Sequence, residues 1–185
     1  MHELPYTLMA ELERVKSEGH APVHLWHPDV VKDIDLVIRK DGTWDYMGSP
    51  IKRPRLVRLF ASVLRRDDDG YCLVTPVEKC RITVEDVPFQ GVLLEVDGTD
   101  KHQVLKITTD MGEQVVIDDE HPLRIEVQGE EWIPYVLIRD GMEARLNRNV
   151  YYQLTELTAT AADPESGRER IGVYSCGTFF ALMDA

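Results

Sequence analysis

Hydrophobic and polar residues alternate in short runs separated by turn residues, and this pattern predicts β-strands over most of the chain. Within the run 104–108, Leu105 and Ile107 face one side and Lys106 faces the other, as in an antiparallel sheet with one face in water. Helical spacing of apolar residues is confined to three segments, which are residues 7–17, a segment that begins at Pro54, and a segment that follows Asn147. The pattern therefore predicts an α+β fold.

The chain repeats one β–β–helix–β pattern at an offset of about 100 residues, a spacing that suits a duplicated domain. Residues 36–46 and 136–146 each form two apolar runs joined by an Asp-Gly pair, which is a strong hairpin signal because both residues tolerate positive φ. A helix and then further strands follow in both copies. We therefore expect two duplicated, mainly antiparallel β domains, each with a packed helix.

The two helices have recognisable starts. Pro54 suits the first helical position, where its missing N–H costs nothing, and Leu56 to Val63 continue with helical spacing. Asn147 is a suitable N-cap for the second helix, and we expect Val150, Leu154, Leu157 and Ala161 to form its buried face.

Five more apolar runs lie between the copies and predict strands, at residues 92–96, 104–108, 114–117, 123–127 and 132–138. We place the domain boundary near Pro88. The prediction is an N-terminal domain, residues 1–87, that comprises the first helix and the first repeat, and a C-terminal domain, residues 88–185.

Charge is unevenly distributed. The net charge is −12, which argues against binding to nucleic-acid polymers or to an anionic membrane. Residues 32–66, however, contain nine basic and four acidic residues. The three cysteines lack metal-ligand spacing, and no apolar run is long enough to span a bilayer. We expect a cytoplasmic protein with reduced, buried thiols, including Cys176 in a strand.

The basic segment suggests an anion site. Arg53, at the start of the first helix, could hold a phosphate together with the free N–H groups there, and Arg58 shares a helix face with Arg55 and with Arg65. The alternative is a solvated helix face. Glu78 and Lys79, on a predicted turn between strands, could bind a ribose hydroxyl and a phosphate, or form an exposed ion pair.

Aromatic residues are a second candidate. Trp44 could stack on the apolar part of a ligand, or lie in the core. We identify no catalytic residues, no cofactor motif and no metal site. His20, His24 and His27 lie among prolines that prevent a continuous helix, and the acidic runs at 67–69 and 118–120 indicate turns.

Several motifs together are distinctive, namely residues 41–44, 48–51, 56–60, 75–79 and 148–152. With these, the chain from Trp26 onward resembles the uncharacterised bacterial family called domain of unknown function 1285. The resemblance implies a C-terminal half superficially similar to a pleckstrin-homology fold, a nucleotide-like ligand at the domain interface and a role in signalling. It supplies no catalytic residues. His27 departs from the family pattern, so a shared role for that position does not carry over.

Three functions stay open at this point. The first is a signalling protein that binds a nucleotide-like or phosphorylated small molecule through Arg53, Arg58, Glu78, Lys79 and Trp44. The second is a protein-protein interaction module without a small ligand. The third is an enzyme such as a phosphoester hydrolase, which needs a convergent set of catalytic groups that the sequence does not display, so a non-catalytic role is favoured.

Overall fold

The computed structural model describes residues 6–14 and 21–184, and it divides the chain into two compact units, Met1–Asp86 and Val87–Ala185. Both units are built mainly from strands with few helices. The predicted α+β class is confirmed, and one of the two larger sheets curls into a half-barrel.

In the first unit, the described residues 6–14 and 21–86 form two α-helices and one mixed sheet of six strands. Its helices are α1 (Tyr6–Arg14) and α2 (Pro54–Ser62). Its strands are β1 (Val30–Ile38), β2 (Trp44–Tyr46), β3 (Ser49–Pro50), β4 (Leu64–Asp67), β5 (Gly70–Val74) and β6 (Glu78–Val84). They are ordered β3-β2-β1-β6-β5-β4, with β1 and β6 parallel and the other pairs antiparallel.

In the second unit, the described residues 87–184 form one α-helix, α3 (Arg148–Glu156), and two sheets. The strands are β7 (Phe89–Asp97), β8 (Val104–Thr109), β9 (Gln114–Val116), β10 (Leu123–Gln128), β11 (Glu131–Arg139), β12 (Met142–Leu146), β13 (Ala159–Ala162), β14 (Glu169–Ser175) and β15 (Thr178–Asp184). The six-stranded sheet has the order β10-β11-β12-β7-β8-β9, and β13, β14 and β15 form a three-stranded sheet.

The predicted repeat is present in both units. The hairpin β1–β2 corresponds to β11–β12, and each turns through an Asp-Gly pair in which the glycine, Gly42 or Gly141, has positive φ. The helix and the three strands that follow keep the same order in both copies. The copies differ in the strand that pairs with the first hairpin strand. In the first unit β1 pairs with β6, the last strand of its repeat, whereas in the second unit the equivalent strand β11 pairs with β10, which precedes the repeat.

The helix starts are as predicted, but both helices are shorter than the sequence suggested. Pro54 opens α2, and the Asn147 side chain accepts a hydrogen bond from the Val150 amide at 2.9 Å. However, α3 ends at Glu156, and Ala161 belongs to β13. The threonines that follow Glu156 explain this end, since β-branched side chains favour strands. The helix predicted for residues 7–17 is observed as Tyr6–Arg14, and residues 15–17 lie outside the described residues.

Each unit has its own apolar core. In the first unit, the sheet and α2 bury large side chains, chiefly Leu36, Ile38, Trp44, Phe60, Leu64 and Leu73. In the second unit, the largest buried side chains come from the six-stranded sheet and α3, chiefly Phe89, Leu105, Ile107, Tyr135, Val136 and Leu154. Within the described residues, no helix combines the length and the apolar character that crossing a membrane requires.

Candidate functional site

Four basic side chains cluster at the start of α2, and we call this set the α2 basic patch. The four are Lys52, Arg53, Arg55 and Arg58. All four side chains are exposed, and the first turn of the helix contains no acidic residue. The amino end of a helix carries a partial positive charge. The patch is therefore electrostatically unfavourable as it stands, and an anion would relieve the repulsion.

By contrast, other described cations of the first unit have acidic partners. Lys32 pairs with Glu78, and Arg39 pairs with Asp45 and Glu85. Arg65, Lys79 and Arg81 each pair with an aspartate. Among the described residues, the four patch side chains have no hydrogen-bond or ion-pair partner. The patch is thus a local excess of positive charge in a protein whose net charge is −12.

Arg65 does not extend the basic helix face, contrary to the prediction. The helix ends at Ser62, so Arg65 lies on β4, where it forms two hydrogen bonds to Asp67 and donates to the carbonyls of Val23 and Trp26 at 2.7 Å. Leu64 and Leu73 pair across β4 and β5 with both side chains buried, which favours a strand over one more helical turn. Arg65 therefore fixes the segment before β1 and has a structural role.

Glu78 and Lys79 lie in β6 and not on a turn, which corrects the prediction for both. Glu78 is 3% exposed and accepts a hydrogen bond from Lys32, although its Oε1 has no partner. The Lys79 ammonium lies 2.7 Å from Asp67 Oδ2 and 2.9 Å from Asp69 Oδ1, and the Asp67 hydrogen bond raises the lysine pKa. Both side chains are thus engaged within the sheet.

Trp44 lies in the core, which corrects its predicted role as a surface for stacking. It is 2% exposed, and its ring stacks on Phe60 of α2 with centroids 6.4 Å apart and planes 17° apart. A buried ring has no free face for a base. The contact instead fixes α2 against the hairpin, so Trp44 supports the helix that carries the basic patch.

A shallow cavity of about 500 Å³ lies at the β1–β2 hairpin, and its lining includes Pro50, two residues before Lys52. Arg39 donates to Asp45 Oδ2 at 2.8 Å and to Glu85 Oε1 at 2.8 Å. Asp45 is 8% exposed, and its second oxygen, Oδ1, has no partner. That oxygen is itself buried, so the accessible acceptors in the lining are the exposed Asp41 and Glu85 carboxylates. The hydrophobic pattern does not single out Asp45, because its burial depends on pairing with Arg39.

Metal ligands do not converge in the described part of the chain. Within residues 6–14 and 21–184, no three His, Cys, Asp or Glu side chains are arranged to hold a metal ion. His24 and His27 are exposed, and His20 lies outside the described residues.

The cysteines differ in exposure. Cys72 and Cys80 are fully buried, and burial raises the pKa of each to about 11. Cys176 was predicted to be buried in a strand, but it is exposed in the two-residue turn between β14 and β15, with φ 52°. Ser175 and Thr178 pair across that turn, which leaves Cys176 at its tip.

A thiol reagent should therefore distinguish the three cysteines at pH 8. We expect dithionitrobenzoate to label one thiol per native chain rapidly and all three after unfolding, since the thiolate is the reactive form. Cys176→Ser should abolish the rapid phase. Rapid labelling of two or three thiols in the folded protein would contradict the assignment.

Comparison with known proteins places the chain in a family. The family model described as domain of unknown function (DUF1285), N-terminal domain, matches residues 21–87, and that for the C-terminal domain of the DUF1285 protein of unknown function matches residues 88–182. No curated protein matches the chain.

Two solved structures are similar. A DUF1285 family protein from Silicibacter pomeroyi DSS-3 is 44% identical with a TM-score of 0.85, over 96% of this chain and 95% of that chain. A DUF1285 family protein from Shewanella baltica OS155 is 28% identical with a TM-score of 0.52, over 66% of this chain and 91% of that chain. The two domain models and the 44% identity identify this chain as a member of the DUF1285 family.

Proposed function

We propose that the protein binds a phosphorylated or nucleotide-like small molecule through the α2 basic patch. The observation that carries the proposal is the set of four exposed cations without acidic partners at the positive end of a helix. The partial positive charge at a helix amino end and guanidinium groups together favour a phosphate. Of the five residues predicted from the sequence, Arg53 and Arg58 keep the role of direct ligand contacts.

The neighbouring hairpin cavity supports a ligand larger than phosphate alone. The exposed carboxylates of Asp41 and Glu85 in its lining accept hydrogen bonds from a ligand hydroxyl or amino group. In this proposal the patch binds the phosphate and the hairpin cavity binds the polar body of the ligand.

The proposal gives the protein a signalling role in the cytoplasm. In this proposal, ligand binding acts by altering the state of the protein and not by turnover. Phosphorylated metabolites are cytoplasmic, and free buried thiols such as Cys72 and Cys80 suit a reducing compartment.

A thermal-shift screen with phosphorylated metabolites, nucleotides and cyclic dinucleotides tests this proposal. A ligand at about 100 times its Kd adds roughly 2.7 kcal/mol of stability, which is a shift of several degrees. The variant Arg53→Glu/Arg58→Glu should lose the shift and keep its fold, because acidic residues near a helix start are stabilising. The matched control Arg148→Glu/Arg168→Glu changes the charge equally and should keep the shift.

A protein partner is the second candidate, and an exposed apolar surface favours it. Val30 and Val31 at the start of β1 are 48% and 46% exposed, and Val77, next to the Glu78 that pairs with Val30, is 49% exposed. Exposed apolar patches are typical of interaction sites. Specific retention of one protein that nucleotides do not displace, and that Val30→Ser/Val77→Ser abolishes, would favour this function over ligand binding.

A further inference from the structure

The second unit contains a cavity of about 450 Å³ that the proposed function does not use. Its walls come from the loop after β7, from the junction of α3 with β13, and from one side chain of β14. The lining residues that bear on its chemistry are Val96, Asp100, Lys101, Glu156, Leu157 and Tyr174. Small-molecule sites in proteins have volumes of roughly 300 to 1,000 Å³, so this cavity is large enough for a metabolite.

The electrostatics of the cavity favour a positive ligand. Asp100 and Glu156 contribute two carboxylates to the lining, against the single ammonium of Lys101. Glu156 is the last residue of α3, whose final turn contains no basic residue, so the partial negative charge at the helix end is not offset. Residues 87–185 contain eight basic and eighteen acidic residues, a net charge of −10, which adds to the same field.

An aromatic wall gives the cavity a second feature that binds cations. The Lys101 ammonium lies 5.6 Å from the centroid of the Tyr174 ring, within the range of a cation–π interaction. The ring is held in place, because it packs on Phe179 at 5.1 Å and because the buried Gln103 side chain donates to the Tyr174 carbonyl at 2.9 Å. The face is therefore pre-formed, and the chain's own ammonium already occupies it.

We propose that this cavity binds an organic cation, a primary amine or guanidinium on a small apolar body. The cationic group lies between Glu156, Asp100 and the Tyr174 face, and the apolar body contacts Val96 and Leu157. Lys101 is exposed and competes for the same ring, so an incoming amine displaces its ammonium into solvent. This site lies in the second unit and differs from the α2 basic patch in sign of charge, and it does not depend on the proposed function.

Isothermal titration of the full chain with phenethylamine and with spermidine at low ionic strength tests the proposal. We expect saturable binding of at least one amine at one site per chain, and none of 2-phenylethanol or phenylacetate, which share the aromatic body but lack the positive charge. Glu156→Gln should weaken binding about fivefold, as for a partly exposed charge pair. Lys101→Met should strengthen binding about two- to fivefold, since it removes both a repulsive charge and a competitor for the ring.

Two control variants separate a site from general attraction to an acidic protein. Glu130→Gln in the β10–β11 turn and Lys106→Met on β8 make the same charge changes outside the cavity lining, and both should leave the affinity unchanged. The proposal is overturned if neither amine binds, if phenylacetate binds as tightly as phenethylamine, or if the control variants alter the affinity as much as the cavity variants.

Discussion

Replacing Gly172 by alanine should destabilise the protein by about 3 kcal/mol, the upper end of the usual cost of overpacking. Gly172 lies in β14, the central strand of the three-stranded sheet, where it pairs with Ala159 on one side and Ala181 on the other. A Cβ at this position would lie well inside van der Waals contact distance of the Phe180 carbonyl oxygen and 2.9 Å from the Ala181 Cα. Both atoms belong to the backbone, so the clash is relieved only if the strand moves.

Urea denaturation measures this effect, and Gly91→Ala is the matched control. The nearest atom to a Cβ at Gly91 is Cδ2 of the Leu146 side chain, which can change rotamer at a cost of about 1 kcal/mol. Gly91→Ala should therefore cost less than Gly172→Ala. Equal unfolding free energies for Gly172→Ala and the wild type would show that β14 and β15 are further apart than described.

Replacing Arg65 by methionine should cost about 3 kcal/mol or more, because it leaves the half-buried Asp67 without its main partner. Arg65 also donates to the carbonyls of Val23 and Trp26, so the segment before β1 loses its attachment as well. We expect a lower unfolding free energy and faster proteolysis near residues 21–28. Arg66→Met, whose exposed guanidinium lies 5.6 Å from the Tyr71 ring centroid, is the control and should cost much less.

The cluster of Arg65, Asp67 and Lys79 should also make the free energy of unfolding fall in acid. The hydrogen bonds from Arg65, assisted by Lys79, lower the pKa of Asp67 from 3.8 to about 2. The stabilisation from the ionised Asp67 carboxylate is complete above the pKa of this group in the unfolded chain. It is lost as the pH falls through the pKa of the same group in the folded protein. The carboxylate should therefore contribute on the order of 2 kcal/mol at neutral pH, lost between about pH 4 and pH 2.

The variant Asp67→Asn tests this pH dependence. Its unfolding free energy should be lower than that of the wild type at pH 7, and the difference should shrink as the pH falls towards 2. A difference that stays constant from pH 7 to pH 2 would mean that Asp67 is not ionised in the cluster.

Features that depend on local chemistry were predictable from the sequence. The Asp-Gly hairpins, Pro54 at the start of α2 and Asn147 as an N-cap each follow from the backbone preferences of one or two residues. The order of elements in the duplicated unit followed as well. These signals are local, so they need no knowledge of which strands meet.

Features that depend on distant pairing were not predictable. The parallel pairing of β1 with β6 brings Val30 beside Glu78, and this pairing places Glu78 within reach of Lys32 and out of solvent. The predictions that Trp44 faces a ligand and that Arg65 lies on the helix were wrong for related reasons. The stacking of Trp44 on Phe60 and the end of α2 at Ser62 both result from packing between elements, which a hydrophobic pattern does not encode.

The two copies have also diverged in charge, and this divergence predicts a single anion site. The helix α2 begins among four cations, whereas α3 has Arg148 as its only basic residue. Because the second helix lacks the patch, duplication of the fold does not imply duplication of the site.

Isothermal titration with a phosphorylated ligand that raises the Tm tests the central claim most directly. We predict one site per chain, an affinity that falls as salt concentration rises, and at least about 100-fold weaker binding for Arg53→Glu/Arg58→Glu, since each charge-assisted hydrogen bond contributes about 1.5 kcal/mol or more. The control Arg148→Glu/Arg168→Glu should bind as the wild type does. Unchanged affinity in the patch variant, or two equivalent sites per chain, would contradict the account.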